Sequence, residues 1–250
     1  MPHYLVDLYR TRDPFSGLGR FCHDLGEALL AQARADEHFT FLIPRGYRPG
    51  SLSRASFVED SFVLRHFPTL HKRYDVWHST YQLRSHAPKP GVPNILTVHD
   101  LNFLVEKDER RAAAYLRQLQ REVDGAAVIT AISSATRDTL LQHVRTGGKP
   151  VHVIHNGVKM PPGAKAERPA VAGNGPYLLC VSVFKEKKNL HTLLPMLRHL
   201  PAHRLVLVGD NATAYGQRIK EMIAHEGLDQ RVVLTGTVDE ATKWALYQHC

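Results

Sequence analysis

Three lysines crowd one turn of this sequence. In "VSVFKEKKNL" (181–190) small and apolar residues lead straight into Lys185, Lys187 and Lys188, then Asn189. The pattern reads as a strand followed by a helix, and a helix N-terminus favours negative charge. Ammonium groups there oppose the dipole and repel one another. A bound polyanion is the simplest compensation, and a diphosphate fits; a solvated basic turn is the plainer alternative.

A second candidate is "SGLGRF" (16–21), which follows a strand and opens a helix whose free amides could receive an anion. Gly17 and Gly19 fit a dinucleotide fingerprint, but Cys22 stands where a third glycine belongs. The second strand also runs into Pro44-Arg45 without the acidic residue that would hold a ribose. This argues against a nicotinamide oxidoreductase and leaves either an anion loop or a tight turn. In "TVHDLNF" (97–103), His99 and Asp100 arrive at the carboxyl end of a strand, where open α/β sheets place ligands. His99 can donate a hydrogen bond or titrate near neutrality; Asp100 could equally cap the next turn. "VIHNGV" (153–158) carries an Asn-Gly pair, a favoured turn dipeptide, just before a probable cleft. His199 and His203 are four apart, but Pro201 between them argues against one helix, and no convincing metal cluster is visible.

The elements that must position these residues are short. Strands are predicted at 3–9, 39–43, 62–67, 75–79, 94–98, 127–131 and 151–154, and helices at 17–35, about 106–123 and 133–144, the last capped by Ser133 or Ser134. The helix over 106–123 is two-faced: Ala112, Leu116, Leu119 and Val123 point inward, while Arg110, Arg117 and Arg121 share the other side. That arginine side is either solvated or in contact with anionic lipid or a phosphorylated acceptor. Residues 159–176 hold four prolines and three glycines and read as a linker. Alternation then resumes, with strands at 177–183, 204–209 and 231–236 and helices at about 188–199, 213–226 and from Asp239. The expected organisation is a Rossmann-like domain over 1–160, a linker over 161–176 and the first half of a second Rossmann-like domain over 177–250. Strand 177–183 would be an apolar open edge, so a longer protein is expected.

The totals agree. A chain of 250 residues is long enough for two modest α/β domains. The net charge of +8 sits mostly in residues 1–168, which suggests either an anionic partner there or simply a charge that aids solubility. Three scattered cysteines without a CxxC fit a reducing compartment. Neither a signal peptide nor an apolar stretch of roughly 20 residues, the length that crosses a bilayer, is visible. Nucleic-acid binding is suggested by charge alone, without an interleaved aromatic–basic pattern.

The order "SGLGRF", "LTVHDLNF", "ITAISSATRDTLL", "VIHNGV", "YLLCVSVFKEKKNLHTLL", "RLVLVGDN" and "VVLTGTVDEATKWALY" resembles a family 4 glycosyltransferase of the GT-B type across essentially the whole chain. The resemblance implies an α/β fold of two Rossmann-like domains with mostly parallel sheets, the second incomplete here. It implies retaining transfer of a sugar, a hexose such as mannose, from a nucleotide-sugar donor to a glycan or lipid-linked acceptor in cell-surface polysaccharide synthesis, with no metal or other cofactor. A cytoplasmic location is expected, with peripheral contact at the inner face of the membrane through Arg110, Arg117 and Arg121. By the same resemblance Gly17 and Gly19 face the donor phosphates and the acceptor, and His99 lies beside the transferring sugar. Lys187 and Lys188 grip the diphosphate, Ser182 takes the place of a frequent glycine, and Thr237 and Val238 lie where main-chain groups recognise the base. Lys187 replaces an arginine, giving up a bidentate fork for a point charge. The family's Glu-x7-Glu motif falls just past Cys250, so this chain alone is expected to show little turnover. A truncated relative that binds nucleotide or a partner without catalysis is the alternative.

Overall fold

The computed structural model describes residues 1–47, 50–52, 54–158 and 166–250. The chain divides into two compact units, Met1–Lys159 and Met160–Cys250.

In the first unit, β1 (His3–Asp7) is followed by α1 (Gly17–Gln32), β2 (His38–Ile43), β3 (Ser56–Glu59) and α2 (Phe62–His66). The chain continues through β4 (Val76–Ser79), β5 (Asn94–Val98), α3 (Phe103–Glu106), α4 (Glu109–Gly125), β6 (Val128–Ala131), α5 (Ser134–His143) and β7 (Val151–Val153). The strands form one parallel sheet in the order β3-β2-β1-β4-β5-β6-β7. From β1 the chain builds outward through β2 and β3, then crosses to β4 on the other flank. The strand order therefore reverses between β1 and β4, and the crevice at their carboxyl ends is the ligand position expected of an open α/β sheet.

The central strands are buried, as parallel strands covered by helices must be. Leu96, Val98, Ile129 and Leu140 pack with Leu119 and Val123 of α4. Burying a side chain of that size contributes about 1.5–3 kcal/mol. Arg110, Arg117 and Arg121 of α4 are exposed, opposite that apolar seam.

Two elements differ from their sequence patterns here. "FVLRHF" reads as a strand, yet Phe62–His66 is α2. Its N-cap Ser61 accepts a hydrogen bond from the Leu64 amide at 3.2 Å, and the strand beside β2 is supplied by Ser56–Glu59 instead. Phe62 and Val63 stay exposed, so the alternation of branched and aromatic residues does not mark a buried face. The helix expected from about 106 to 123 is α4, which starts three residues later because Asp108 caps it, accepting from the Arg111 amide at 2.9 Å; Glu106 ends the short α3 before it.

The second unit holds β8 (Tyr177–Val181), β9 (Arg204–Val208), α6 (Ala214–His225), β10 (Val232–Gly236) and α7 (Glu240–His249), with a three-stranded parallel sheet ordered β10-β9-β8. The strand β8 lies at one edge of this sheet. Residues 159–165 of the stretch read as a linker lie outside the described residues. The rest belongs to the second unit: Ala172 is fully buried against Tyr177, Val206 and Leu246, and Arg168 stacks over the Tyr177 ring at 4.9 Å. The helix expected over 188–199 is replaced by three short 3₁₀ turns, Glu186–Lys188, Leu190–Leu193 and Pro195–His199. Asn189 takes a left-handed conformation (φ 49°) and Pro195 offers no amide, so no continuous α-helix can form. No helix among the described residues is long and apolar enough to cross a membrane.

Candidate functional site

The first group of candidate residues gathers at the carboxyl ends of β1, β4 and β5. Ser16 caps α1, its hydroxyl accepting the Gly19 amide at 3.0 Å, while the Arg20 amide goes to the Ser16 carbonyl. Among the described residues, the Gly17 and Leu18 amides are the ones left without a partner at this helix start. The two glycines differ. A Cβ on Gly19 would sit 2.1 Å from the Asp13 carbonyl oxygen, so that residue must be glycine for the loop to close on the helix. Gly17 is exposed with nothing within 4 Å of its missing side chain.

His99 is buried just past β5. Its Nε2 donates to the Thr80 carbonyl at 2.9 Å, which fixes the neutral tautomer and leaves Nδ1 as an acceptor. Burial holds the imidazole below its ordinary pKa against the opposing pull of that bond and of Asp100, so it is neutral at pH 7. The Phe21 ring of α1 meets it edge-on at 4.7 Å, joining the glycine-loop helix to the histidine. Asp100 does cap the following turn, accepting the Asn102 amide at 3.0 Å.

Three residues that the sequence motifs did not reveal hold this arrangement. Gln82 accepts the His99 amide at 3.0 Å and donates to the Asp100 carbonyl at 2.7 Å. Thr80 donates its hydroxyl to the Asp7 carbonyl, tying the end of β4 to that of β1. Asp7 is buried at the strand-order reversal, where desolvation raises its pKa to about 6 against the hydrogen bond it accepts from the Tyr9 amide. The loop after β4 is further tied to α4 by the Arg84–Glu122 ion pair. Cys22 packs against Thr80 with its thiol pushed up to about 12 by burial, which makes it an inert core residue.

On the sheet face beside α1, a cavity of about 710 Å³ is lined by Phe21, Leu25, His78, Ile95 and Val128 and by residues 155–158. Burial and the neighbouring His99 push His78 down to about 4. The sequence showed no convincing metal cluster, yet His23, Asp24 and Glu27 on α1 bring their ligating atoms within 4.8 Å of one another. Asp24 is engaged there by Arg20 at 2.8 Å.

The second group gathers at the carboxyl ends of β8, β9 and β10. The Ser182 amide continues the ladder to the Val208 carbonyl at 2.9 Å. Its own carbonyl lies where a Cβ on Gly209 would be, 1.9 Å away, so Gly209 at φ 144° permits the close approach of the two strand ends. Phe184 and Leu190 are buried pins on either side of the lysine turn, and Lys185 to Asn189 between them are all exposed. Thr213, the N-cap of α6, donates to the Phe184 carbonyl at 3.0 Å and fastens the turn to that helix. Thr237 and Val238 follow Gly236 at the end of β10; Thr237 is exposed, and Val238 packs on the core.

One part of the sequence argument needs correcting. Lys187 and Lys188 sit in a single 3₁₀ turn, so they do not oppose the dipole of an α-helix starting there. The like-charge crowding remains. Glu186, the acid among them, is drawn off by Arg218 at 3.1 Å. Lys188 forms no ion pair among the described residues, and its charge is felt at the Cys180 thiol on β8. The structure thus brings Gly17, Gly19 and His99 together in one unit, and Ser182, Lys187, Lys188, Thr237 and Val238 in the other.

Residues 15–160 match the family model Glycosyltransferase Family 4, and residues 164–250 match Glycosyl transferases group 1. Among solved structures, a sucrose-phosphate synthase from Thermosynechococcus elongatus is similar over 100% of this chain and 74% of its own, at 18% identity and a TM-score of 0.71. HepE of Anabaena, solved with UDP and glucose, is similar over 100% of this chain and 72% of its own, at 17% identity and a TM-score of 0.70. A glycosyltransferase from Rickettsia africae covers 99% of this chain and 71% of its own, at 17% identity and a TM-score of 0.66. No curated protein matches in sequence. These likenesses show the GT-B fold, and the family match extends over more than half of the residues: the chain belongs to glycosyltransferase family 4.

Proposed function

We propose that this chain serves retaining transfer of a hexosyl group from a nucleotide-sugar donor to a glycan or lipid-linked acceptor in cell-surface polysaccharide synthesis, without a metal ion. The observation that carries this reading is the lysine turn: an exposed cationic loop pinned by Phe184 and Leu190 at the carboxyl end of β8, with Lys188 unpaired among the described residues. Lys187 and Lys188 neutralise the diphosphate, more strongly as the glycosidic bond breaks and charge builds on the leaving group. Main-chain groups at Thr237 and Val238 meet the base, Ser182 leaves room at the strand end, and the Gly17 and Gly19 loop faces phosphate and acceptor. His99, neutral and fixed by Thr80, orients the sugar. The acceptor oxygen bonds to the anomeric carbon on the face that the diphosphate leaves, and its proton passes to the departing diphosphate oxygen as the sugar–phosphate bond breaks.

HepE was solved with UDP-glucose, which supports a uridine donor as a first probe, with GDP-mannose as the second. The exposed arginines Arg110, Arg117 and Arg121 face an anionic membrane surface at the inner leaflet. Calorimetry with UDP and GDP tests the core of this proposal. Lys188→Ala weakens nucleotide binding by roughly 1.5–3 kcal/mol, as for hydrogen bonds to charged groups. Equal affinity of parent and variant for both nucleotides removes the assignment.

A further inference from the structure

The 3₁₀ turn Tyr9–Arg12 leaves β1 at the strand-order reversal, and its arginines have different fates. Arg12 donates to the Tyr9 hydroxyl at 2.8 Å and to Asp13 at 3.3 Å. Arg10 has no such bond. Its guanidinium lies over the Tyr81 ring, 4.1 Å from the centroid, and it forms no ion pair or side-chain hydrogen bond among the described residues. The Tyr81 ring is 6.3 Å from the His99 imidazole. On its other side the Arg10 backbone carbonyl lies 3.0 Å from the space a Gly19 side chain would take, so this turn, the glycine loop and His99 form one packed group. The Arg10 charge reaches His99, Tyr81 and Asp7.

An arginine held by a carboxylate has spent its planar fork. One held by stacking on a ring is fixed in place with its donors free, the arrangement that recognises a phosphate or carboxylate in bidentate fashion. We propose that Arg10, stacked on Tyr81 beside His99, is a recognition residue for an oxyanion of the acceptor, a phosphate ester or a carboxylate. This rests on the reading of His99 as the neighbour of the transferred sugar. Donor diphosphate has its own cations in the second unit, Lys187 and Lys188, so the charge on Arg10 falls to the other substrate.

The test follows the NMR ring signals of His99 and Tyr81 while inorganic phosphate, acetate or UDP is added to the whole chain. Phosphate or acetate moves both signals saturably, the stronger of the two identifying the ester or the carboxylate as the acceptor group. The response weakens at least tenfold in Arg10→Ala and less in Arg10→Lys, which keeps the charge but loses the fork. Arg10→Gln, with an unchanged thermal midpoint, guards against a folding effect. An unaltered response in Arg10→Ala, or none in the parent, overturns the inference. So does competition by UDP at these signals, which would give the anion to the donor. Lys188-dependent UDP binding that persists without a phosphate response at His99 removes this inference alone; UDP binding indifferent to Lys188 removes the proposed function instead.

Discussion

Gln82 holds the backbone of His99 in place: its side-chain oxygen accepts the His99 amide at 3.0 Å, and its amide reaches the next carbonyl, that of Asp100, at 2.7 Å. Gln82 is 1% exposed, so no water substitutes freely for its bond to the His99 amide. Gln82→Leu therefore strands the buried His99 amide at a cost of about 1–3 kcal/mol, while the part-buried Asp100 carbonyl can turn to water. Urea unfolding reads this as a lower midpoint at unchanged slope. A midpoint within error of the parent would mean that the His99 loop is held by other contacts.

The two glycines of the first motif separate structure from ligand binding. Gly19→Ala drives a Cβ into the Asp13 carbonyl at 2.1 Å and disrupts the loop–helix junction, with the penalty of roughly 1–3 kcal/mol typical of overpacking. Gly17→Ala meets nothing within 4 Å, so its stability stays within about 0.5 kcal/mol of the parent. Thermal melts check both. Weaker acceptor or nucleotide binding by a fully stable Gly17→Ala then reports on the ligand alone, whereas the same loss in Gly19→Ala would not.

Asp7 gives a pH dependence with a definite sign. Unfolded, its carboxyl loses the proton near 3.8; folded, it keeps the proton to about 6. Between those values the folded state binds more protons, so the contribution of this group to stability is full below 3.8 and falls as pH rises through 6. At 1.36 kcal/mol per pKa unit the loss is about 3 kcal/mol by neutral pH. Asp7→Asn keeps an oxygen to accept the Tyr9 amide and removes the titration. The variant matches the parent near pH 3.5 and exceeds it at pH 7.5. His78, pushed down to about 4, acts with the opposite sign in both proteins and cancels in the difference. A stability gap that does not change with pH would refute the buried-acid description.

What could be read from the chain, and what could not, follows from the range of the interactions. The parallel sheet and the inward face of α4 were legible because Ala112, Leu119 and Val123 repeat at helical spacing. His99 was legible because a polar residue closed an apolar strand. Gln82 and Arg10 were not, since neither lies in a motif: Gln82 meets His99 across a separation of 17 residues, and Arg10 meets Tyr81 only once β1 and β4 are neighbours. Local rules also competed. "FVLRHF" has the alternation of a strand, but the Ser61 cap turned it into a helix. Leu190, Leu194 and Leu197 have helical spacing, but Asn189 and Pro195 broke the run into 3₁₀ turns while all three leucines still reached the core.

Asn189 is the only non-glycine residue with positive φ among the described residues, at φ 49° and ψ 34°. Its backbone ends the Lys187-Lys188 turn, and its carbonyl accepts the Thr192 hydroxyl at 2.7 Å and the Thr192 amide at 3.0 Å to begin the next one. A left-handed residue costs roughly 1–2 kcal/mol for most side chains, less for asparagine and nothing for glycine. Asn189→Gly therefore leaves the turn intact. Asn189→Val, β-branched, forces the backbone back to negative φ and swings the two lysines away from their shared position without altering any charge. On the proposed diphosphate role, nucleotide affinity measured by calorimetry stays near the parent value in the glycine variant and falls about tenfold in the valine variant, a step of 1.4 kcal/mol. Equal affinity in both would show that the number of cations, and not the geometry of this turn, governs binding.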